Sequence, residues 1–311
     1  MRSRIPALTS LIVVAAVLSV LPFILSDYNV SLAARVGIFF IAVLGLDILT
    51  GYTGQISIGH GAFMAIGGYT TAVMSRDHNT NLVVTMLMAF AICFVVGVLV
   101  GLPALRLSGV YLALVTFALA VCVPQLALHW SKFLGGRNGV QTTQTVSNLW
   151  VYAVAWAASA ILFVLAWLIL RGRVGRAFRA VRDSEIAAVA SGIELPVYKT
   201  LAFGISAAYA GVAGSLFVLL NNGFAAPDEF GIFLSLQILI GAAVAGLGSL
   251  WGVLVGAAFV GLLPSLSSNV PVIGSTHGQD IVFGAAVILV MLLLPGGFAS
   301  LMARLRRIGR A

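Results

Sequence analysis

Fifty consecutive residues, 230–279, contain no Lys, Arg, Asp or Glu: FGIFLSLQILIGAAVAGLGSLWGVLVGAAFVGLLPSLSSNVPVIGSTHGQ. About 20 residues of helix cross the hydrocarbon core of a bilayer, so this run has room for two membrane spans. The sequence Gly-Leu-Gly-Ser at 246–249 predicts the turn between them. Further charge-free runs occupy 36–46, 48–75, 78–105, 107–131, 138–170, 200–227 and 281–303.

The composition excludes an ordinary soluble protein. Of the 311 residues, 61% are hydrophobic and only 8% are charged, whereas about a quarter of a soluble domain is charged. The short alternating segments of a β-barrel do not occur in this sequence. We therefore expect one all-α domain over 1–311, a polytopic integral membrane helix bundle. About ten spans are predicted, with eight or nine as alternatives, near 7–25, 30–49, 58–75, 82–102, 110–130, 151–170, 201–220, 232–248, 250–268 and 280–301.

The basic residues predict the orientation of the bundle. Thirteen of the 17 Lys and Arg residues lie in loops on one side, including the clusters at 171–182 and 304–310, and only Arg76, Lys132 and Arg137 lie on the other. Because Lys and Arg accumulate in cytoplasmic loops, we expect both termini in the cytoplasm. The net charge of +8 is then a topology signal, and no nucleic-acid partner is expected.

Residues 50–61, TGYTGQISIGHG, interrupt the apolar pattern between two predicted spans. Non-helical backbone at membrane depth is tolerated where it is buried in protein or lines a water-filled cavity. We therefore predict a short re-entrant glycine-rich segment on a translocation path, with a tight cytoplasmic turn as the alternative. The candidate path residues in this segment are Gly54, Gln55, Ser57, Gly59 and His60.

Ser57 and His60 do not match a hydrolase site. The stretch 54–59 misses the Gly-x-Ser-x-Gly nucleophile motif by one position, and no acid stands beside it to orient the histidine. Cys93 and Cys122 lie inside apolar runs, where a thiol behaves as a small hydrophobe. We therefore expect no catalytic residue, no metal and no cofactor in this chain.

Two ionisable residues, Arg35 and Asp47, fall inside predicted spans. A charge within the membrane is costly enough to be a functional hypothesis by default, and Asp47 lies next to the glycine-rich segment. We therefore add Asp47 to the candidate translocation path. Proton coupling by this acid, or a capped or solvated carboxylate at a span end, are the two alternatives.

Residues 171–192, RGRVGRAFRAVRDSEIAAVASG, form a charged segment between two spans. As one helix, the segment and the residue after it place four apolar side chains along a single stripe, the pattern of a helix that docks into a groove. These side chains are Ile186, Val189, Ala190 and Ile193. Gly192 and Pro196 predict the end of the helix.

The charges of this segment also predict local pairing. Arg179 with Asp183 and Arg182 with Glu185 have the spacing of ion pairs on a helix surface. A simple membrane anchor needs no charged helix with an apolar stripe. We therefore predict a docking element for a soluble partner, with a helix lying on lipid headgroups as the alternative.

The chain contains no recognisable phosphate-binding loop. The nearest approach ends at Lys199-Thr200, but Tyr198 stands where that loop requires a glycine. If ATP drives this protein, the ATPase is a separate subunit.

Several stretches together resemble the LivM-type permeases of branched-chain amino acid ABC importers. They are GYTGQISIGHGAF at 51–63, GGYT at 67–70 and GRVGRAFRAVRDSEIAA at 172–188, with further matching stretches at 102–117, 135–139 and 241–256. Asp47 departs from the pattern, because such permeases commonly carry Asn there. Related permeases for urea and short amides share much of the pattern and remain an alternative, as does a stand-alone secondary transporter.

The resemblance implies a subunit that forms the path for aliphatic amino acids across the inner membrane of a bacterium. The implied partners are a second related permease, two cytoplasmic ATP-binding subunits and a periplasmic or lipid-anchored substrate-binding protein. The implied ATPase-coupling loop is about 171–200. Its candidate contact residues are Arg176, Arg179, Arg182, Asp183, Glu185, Ile186, Ala187, Ala188, Val189 and Gly192.

Overall fold

The computed structural model describes residues 26–268, except 106, 108 and 145, and scattered positions between 284 and 300. The helices are α1 (Asp27–Leu46), α2 (His60–His78), α3 (Leu82–Ala104), α4 (Val110–His129), α5 (Ser131–Leu134), α6 (Asn148–Arg171), α7 (Arg173–Asp183), α8 (Glu185–Ala190), α9 (Leu195–Leu220), α10 (Ile232–Ala245) and α11 (Gly252–Ser268). A π-helical turn covers Asp47–Gly51, and 3-10 turns cover Gly136–Asn138 and Pro227–Phe230. Two short antiparallel strands, β1 (Val140–Gln141) and β2 (Phe224–Ala225), pair Val140 with Ala225.

The helices α1 and α9 form the centre of the bundle. In their apolar stretches, 83% of α1 and 89% of α9 is buried, against 28% for α3 and α6. α9 packs against α1, α2 and α3, while α1 also packs against α6 and α11. The outer helices expose large apolar side chains such as Leu87, Leu114 and Ile161, which is the surface expected against lipid.

Several helix ends follow from local sequence. Asn81 caps α3 by accepting from Val83 N at 2.9 Å, and Ser147 caps α6 by accepting from Trp150 N at 3.3 Å. Short polar side chains at these positions satisfy amides that a helix start leaves unpaired. Asn79 ends α2 in the left-handed conformation, with φ of 46°.

An all-α multi-pass membrane protein is confirmed for the part of the chain that the structure describes. Six of its helices are long and apolar enough to cross a membrane: α1, α3, α4, α6, α9 and α10 with the turn before it. The predicted spans 58–75 and 250–268 correspond to α2 and α11, which are outside these six. The predicted span 7–25 and much of 280–301 lie outside the described residues.

The charge-free run after Glu229 forms two helices, as its length predicts. α10 ends at Ala245 and α11 begins at Gly252. Gly246 and Gly248 in the turn have φ of 86° and 83°, a region that glycine enters without a steric penalty. The predicted turn at 246–249 is therefore confirmed.

The bundle has two distinct ends. At the first, which we call the coupling end, the π turn lies beside the 246–251 turn, α7, α8 and the start of α9. At the second, the strand end, β1 and β2 lie near the end of α2, where Thr143 Oγ1 donates to Ser75 O at 2.8 Å. Arg76 reaches Phe133 O at the same end, at 3.2 Å.

Candidate functional site

The glycine-rich segment breaks the helical backbone between α1 and α2. Residues 54–59 are non-helical, and α2 starts at His60. Gln55 N–H donates to Leu49 O at 3.2 Å, and Thr50 Oγ1 donates to Gln55 O at 3.0 Å. The break is therefore folded back onto the π turn that precedes it.

Hydroxyl groups from other helices accept from backbone amides of the break and of the first turn of α2. Ile58 N–H donates to Thr116 Oγ1 in α4, and Gly61 N–H donates to Ser235 Oγ in α10, both at 2.9 Å. A methyl group at Gly59 would lie 2.7 Å from Thr116 O, so the close approach of α4 requires glycine there. Non-helical backbone inside a helix bundle needs such partners, because unpaired buried amides are costly.

His60 is buried and contacts a hydroxyl group through each ring nitrogen. Ser206 Oγ lies 2.6 Å from His60 Nε2 and donates its only proton to Gly45 O, also at 2.6 Å. His60 must therefore donate from Nε2, which leaves Nδ1 to accept from the Ser57 hydroxyl 3.4 Å away. This assignment makes His60 a neutral link between α2, α9 and α1, with Ser57 engaged as its donor.

Asp47 lies at the start of the π turn and is fully buried. Its Oδ1 accepts from Gly248 N–H at 2.7 Å, whereas its Oδ2 has no hydrogen-bond partner among the described residues. A π-helical turn often marks a functional position in a helix. Asp47 thereby holds the α10–α11 turn against the glycine-rich segment.

The coupling segment, residues 171–193, forms two helices instead of the single helix that the sequence predicts. Ser184 takes an extended conformation (φ −164°, ψ 115°) between α7 and α8 and caps α8 by accepting from Ala187 N. Ile186 is 86% exposed and Val189 is 55% exposed, whereas Ala188 is buried. The apolar side chains of α8 therefore present a surface that the described chain does not cover.

The rest of the segment anchors this surface. Phe178 of α7 is fully buried and stacks edge-on with Tyr198, with ring centroids 6.4 Å apart. Gly192 ends the segment with φ of 79°, and Ile193 N–H donates to Ala188 O at 3.0 Å, a common glycine-dependent helix ending. Arg176, Asp183 and Ala187 are exposed.

Both predicted ion pairs of this segment are wrong. Arg179 donates to Leu170 O at 3.2 Å, and Arg182 donates to Gly51 O. Glu185 pairs instead with Lys199, with 2.7 Å between Oε1 and Nζ. The extended residue Ser184 breaks the helix between Arg182 and Glu185, which explains why that pair does not form. Arg179 and Asp183 both lie within α7, and the Arg179 side chain binds Leu170 O instead of Asp183.

The coupling segment contacts the glycine-rich segment directly through Arg182 and indirectly through Lys199 of α9. Arg182 binds Gly51 O directly, and its side chain lies against Gly54, which has φ of 73°. Gln55 Nε2 lies 3.5 Å from the carbonyl oxygen of Lys199, the residue that pairs with Glu185. The two regions singled out in the sequence are therefore adjacent.

Sequence reasoning missed the residues that join these regions. They are Thr116, Lys199, Ser206, Ser235 and Gly248. A usable signal existed for the three hydroxyl residues, because Ser and Thr inside apolar runs commonly bond across helices. In the sequence, Lys199 is only one more basic residue at the end of a span.

Comparisons with known proteins show which sequences this chain resembles. Residues 28–291 match the family model described as branched-chain amino acid transport system, permease component. The high-affinity branched-chain amino acid transport system permease protein LivM of Salmonella typhimurium is 29% identical over 307 residues, which cover 89% of this chain and 71% of LivM. LivM of Escherichia coli K12 gives the same figures. LivH of Escherichia coli K12, a permease protein of a system with the same name, is 25% identical over 283 residues, which cover 83% of this chain and 90% of LivH. No solved structure matches the chain.

Proposed function

The chain belongs to the family of permease components of branched-chain amino acid transport systems. We therefore propose that its coupling segment transmits conformational changes of a partner ATPase to the glycine-rich segment. The chain is the permease, and ATP is hydrolysed on two cytoplasmic ATP-binding subunits. The observation that carries this proposal is a pair of contacts at the glycine-rich segment. Arg182 of the coupling segment binds Gly51, and Lys199 of α9, which is ion-paired with Glu185 of the coupling segment, lies against Gln55.

The surface of α8 is the contact for the ATPase. Ile186 and Val189 are exposed on a helix that is anchored on its other side by Ala188 and by the Glu185–Lys199 ion pair. An apolar helix face held in a fixed position suits the groove of a soluble partner. Movement of α8 would then displace Lys199. The carbonyl oxygen of Lys199 would in turn displace Gln55.

The glycine-rich segment forms the inner part of the translocation path. Thr116, which holds it, lies about 9 Å along α4 from the start of that helix, and Ser206 lies about 16 Å along α9. This depth favours a re-entrant segment over a turn at the membrane surface. The path residues are those predicted, Asp47, Gly54, Gln55, Ser57, Gly59 and His60, and the exposed Gly54 and Ile56 face away from this chain's core.

The bundle has about ten spans, and both of its termini lie in the cytoplasm. The protein resides in the inner membrane of a bacterium. The coupling end carries the basic cluster 171–182, and Arg76 and Phe133 meet at the strand end, which supports the predicted separation of inside and outside loops. The strand end then faces a periplasmic or lipid-anchored substrate-binding protein.

The second subunit of the path is a related permease. Two differently named permease proteins, LivM and LivH, both match this chain over most of its length. A pair of such permeases would place the exposed Gly54 and Ile56 opposite a partner.

The test is uptake of radiolabelled leucine by the complex of both permeases, both ATPases and the binding protein in proteoliposomes. We expect uptake with enclosed ATP and none with a non-hydrolysable analogue. ATP-independent uptake by the purified chain alone, driven by a proton gradient, would contradict the proposal.

A further inference from the structure

Three residues at the strand half of the bundle carry buried polar atoms without a hydrogen-bond partner among the described residues. They are Nε of Arg35 in α1, the hydroxyl of Tyr69 in α2 and Oε2 of Glu229 in the 3-10 turn before α10. Nearly all buried polar groups in folded proteins are paired. The Tyr69 ring lies against Phe230, the residue after Glu229, and Glu229 is near enough to Arg35 to interact with it electrostatically. These three residues therefore share one region, which we call the Arg–Tyr–Glu cluster.

The charges in this cluster are opposite but not in contact. Arg35 and Glu229 act on each other electrostatically, and Glu229 and Asp228 both act on Tyr69. Direct ion pairs in the described part of the chain are Arg76–Asp77 and Lys199–Glu185. Asn221 lies beside the Glu229 carboxylate, whose Oε2 has no hydrogen-bond partner among the described residues.

Charged residues are rare in this chain, at 8%, and charge inside a membrane protein is expensive. A structural ion pair would close to contact distance to recover that cost. The separation of Arg35 and Glu229 leaves one cation and one anion able to bind a third group.

Aromatic side chains line up beside the cluster. The rings of Tyr69 and Phe230 lie 6.0 Å apart, those of Phe230 and Phe217 5.9 Å, and those of Phe217 and Phe39 6.5 Å. Phe39 is one helical turn from Arg35 on α1, so both can lie on the same side of that helix. One wall of the cluster is therefore apolar.

We infer that the Arg–Tyr–Glu cluster binds the zwitterionic head group of an amino acid at the outer half of the path. Arg35 binds the α-carboxylate with help from the Tyr69 hydroxyl, Glu229 binds the α-ammonium, and the rings of Phe230 and Phe217 meet the aliphatic side chain. The assignment of the substrate class rests on the proposed function. The site itself is separate from the glycine-rich segment and the coupling segment.

The first test uses Tyr69→Phe in the reconstituted complex. The Tyr69 hydroxyl has no partner in the described chain, so its removal leaves the packing of the ring intact and should not lower the melting temperature. A hydrogen bond to a charged group contributes about 1.5–3 kcal/mol, so we expect leucine uptake at sub-saturating substrate to fall at least about tenfold. Uptake equal to the unsubstituted complex would overturn the inference.

The second test separates substrate binding from mutual charge neutralisation. Arg35→Gln and Glu229→Gln are compared with the double variant, and Asp77→Asn, which changes an exposed carboxylate at the same end, is the control. We expect low uptake in both single variants and in the double variant, with unchanged membrane levels and an unchanged control. Recovery of uptake in the double variant would overturn the inference, because it would show that the two charges only balance each other.

These results are distinguishable from a failure of the proposed function. If the unsubstituted complex takes up no leucine with ATP, this result contradicts both the proposed function and the substrate assignment. If the unsubstituted complex transports leucine and the variants do so equally well, the result contradicts only the inferred binding site.

Discussion

Lys199 Nζ lies 2.7 Å from Glu185 Oε1, and this ion pair ties the exposed helix α8 to the first turns of the buried helix α9. The side chain of Lys199 is 9% exposed, whereas that of Glu185 is 49% exposed. The carbonyl oxygen of the same lysine lies 3.5 Å from Gln55 Nε2 in the glycine-rich segment. Lys199 therefore contacts both α8 and the glycine-rich segment.

Glu185→Gln should uncouple transport from ATP hydrolysis. The substitution keeps the size of the side chain but leaves the mostly buried Lys199 without its counter-ion, which costs more than the loss of an exposed pair. We expect leucine uptake to fall at least about tenfold while the reconstituted complex still hydrolyses ATP. Glu194→Gln, at an exposed acid nearby that caps no helix amide, is the matched control. Equal uptake in the two variants would show that this ion pair takes no part in coupling.

Ile186→Asp should prevent the ATPase subunits from engaging the permease. Ile186 is 86% exposed, so a charge there is tolerated by the folded chain but opposes burial in an apolar groove. Membrane insertion should be normal, and co-purification of the ATPase subunits should be lost together with ATP-dependent uptake. Ile186→Leu keeps an apolar side chain and should retain both. Normal uptake by the aspartate variant would show that α8 is not the docking surface.

Gly59→Ala should destabilise the bundle. The added methyl group would lie 2.7 Å from Thr116 O, and overpacking of this kind costs about 1–3 kcal/mol. Gly231→Ala is the control, because its methyl group would meet Asp228 O at an ordinary 3.7 Å. Thermal unfolding of the purified variants in detergent measures the difference. Equal melting temperatures would mean that α4 does not pack closely on the glycine-rich segment.

A cysteine at Ser184 should react only from the cytoplasm. Ser184 is exposed between α7 and α8, while Gln141 is exposed in β1 at the opposite end. In a Cys122→Ala background, an impermeant maleimide added outside intact spheroplasts should label Gln141→Cys and spare Ser184→Cys. The reverse pattern would invert the orientation of the whole bundle.

Much of the fold could be predicted from charge spacing alone. The absence of charge between Glu229 and Asp280 predicts two helices and their turn, and α10 and α11 confirm it. Helix spans are set by apolar length, a property of local sequence. The existence of a helical break at 54–59 is likewise visible in its glycines.

The contacts of the site were not predictable in the same way. The ion pair expected between Arg182 and Glu185 assumes a continuous helix, and one extended residue, Ser184, removes that register. Arg179 and Asp183 keep their helical spacing within α7, but the Arg179 side chain binds Leu170 O instead. The partners of Arg182 and Gln55 are 131 and 144 residues away in sequence. Such long-range contacts depend on how helices pack, which a single sequence does not specify.

The most direct test of the coupling mechanism replaces the Arg182 contact by a covalent bond. A methyl group at Gly54 would lie 3.8 Å from Cβ of Arg182, within the usual Cβ separation of a disulfide. The variant combines Gly54→Cys and Arg182→Cys in a Cys122→Ala background, and the measured quantity is leucine transported per ATP hydrolysed, first reduced and then oxidised. Gly54→Cys alone is the reference, because it carries the strain of a side chain at a φ of 73°. Coupling through Arg182 predicts a ratio below that reference in the reduced double variant, which has lost the arginine, and recovery to the reference when the disulfide reconnects the two segments. A ratio that stays normal on reduction, or that falls on oxidation, would contradict this mechanism.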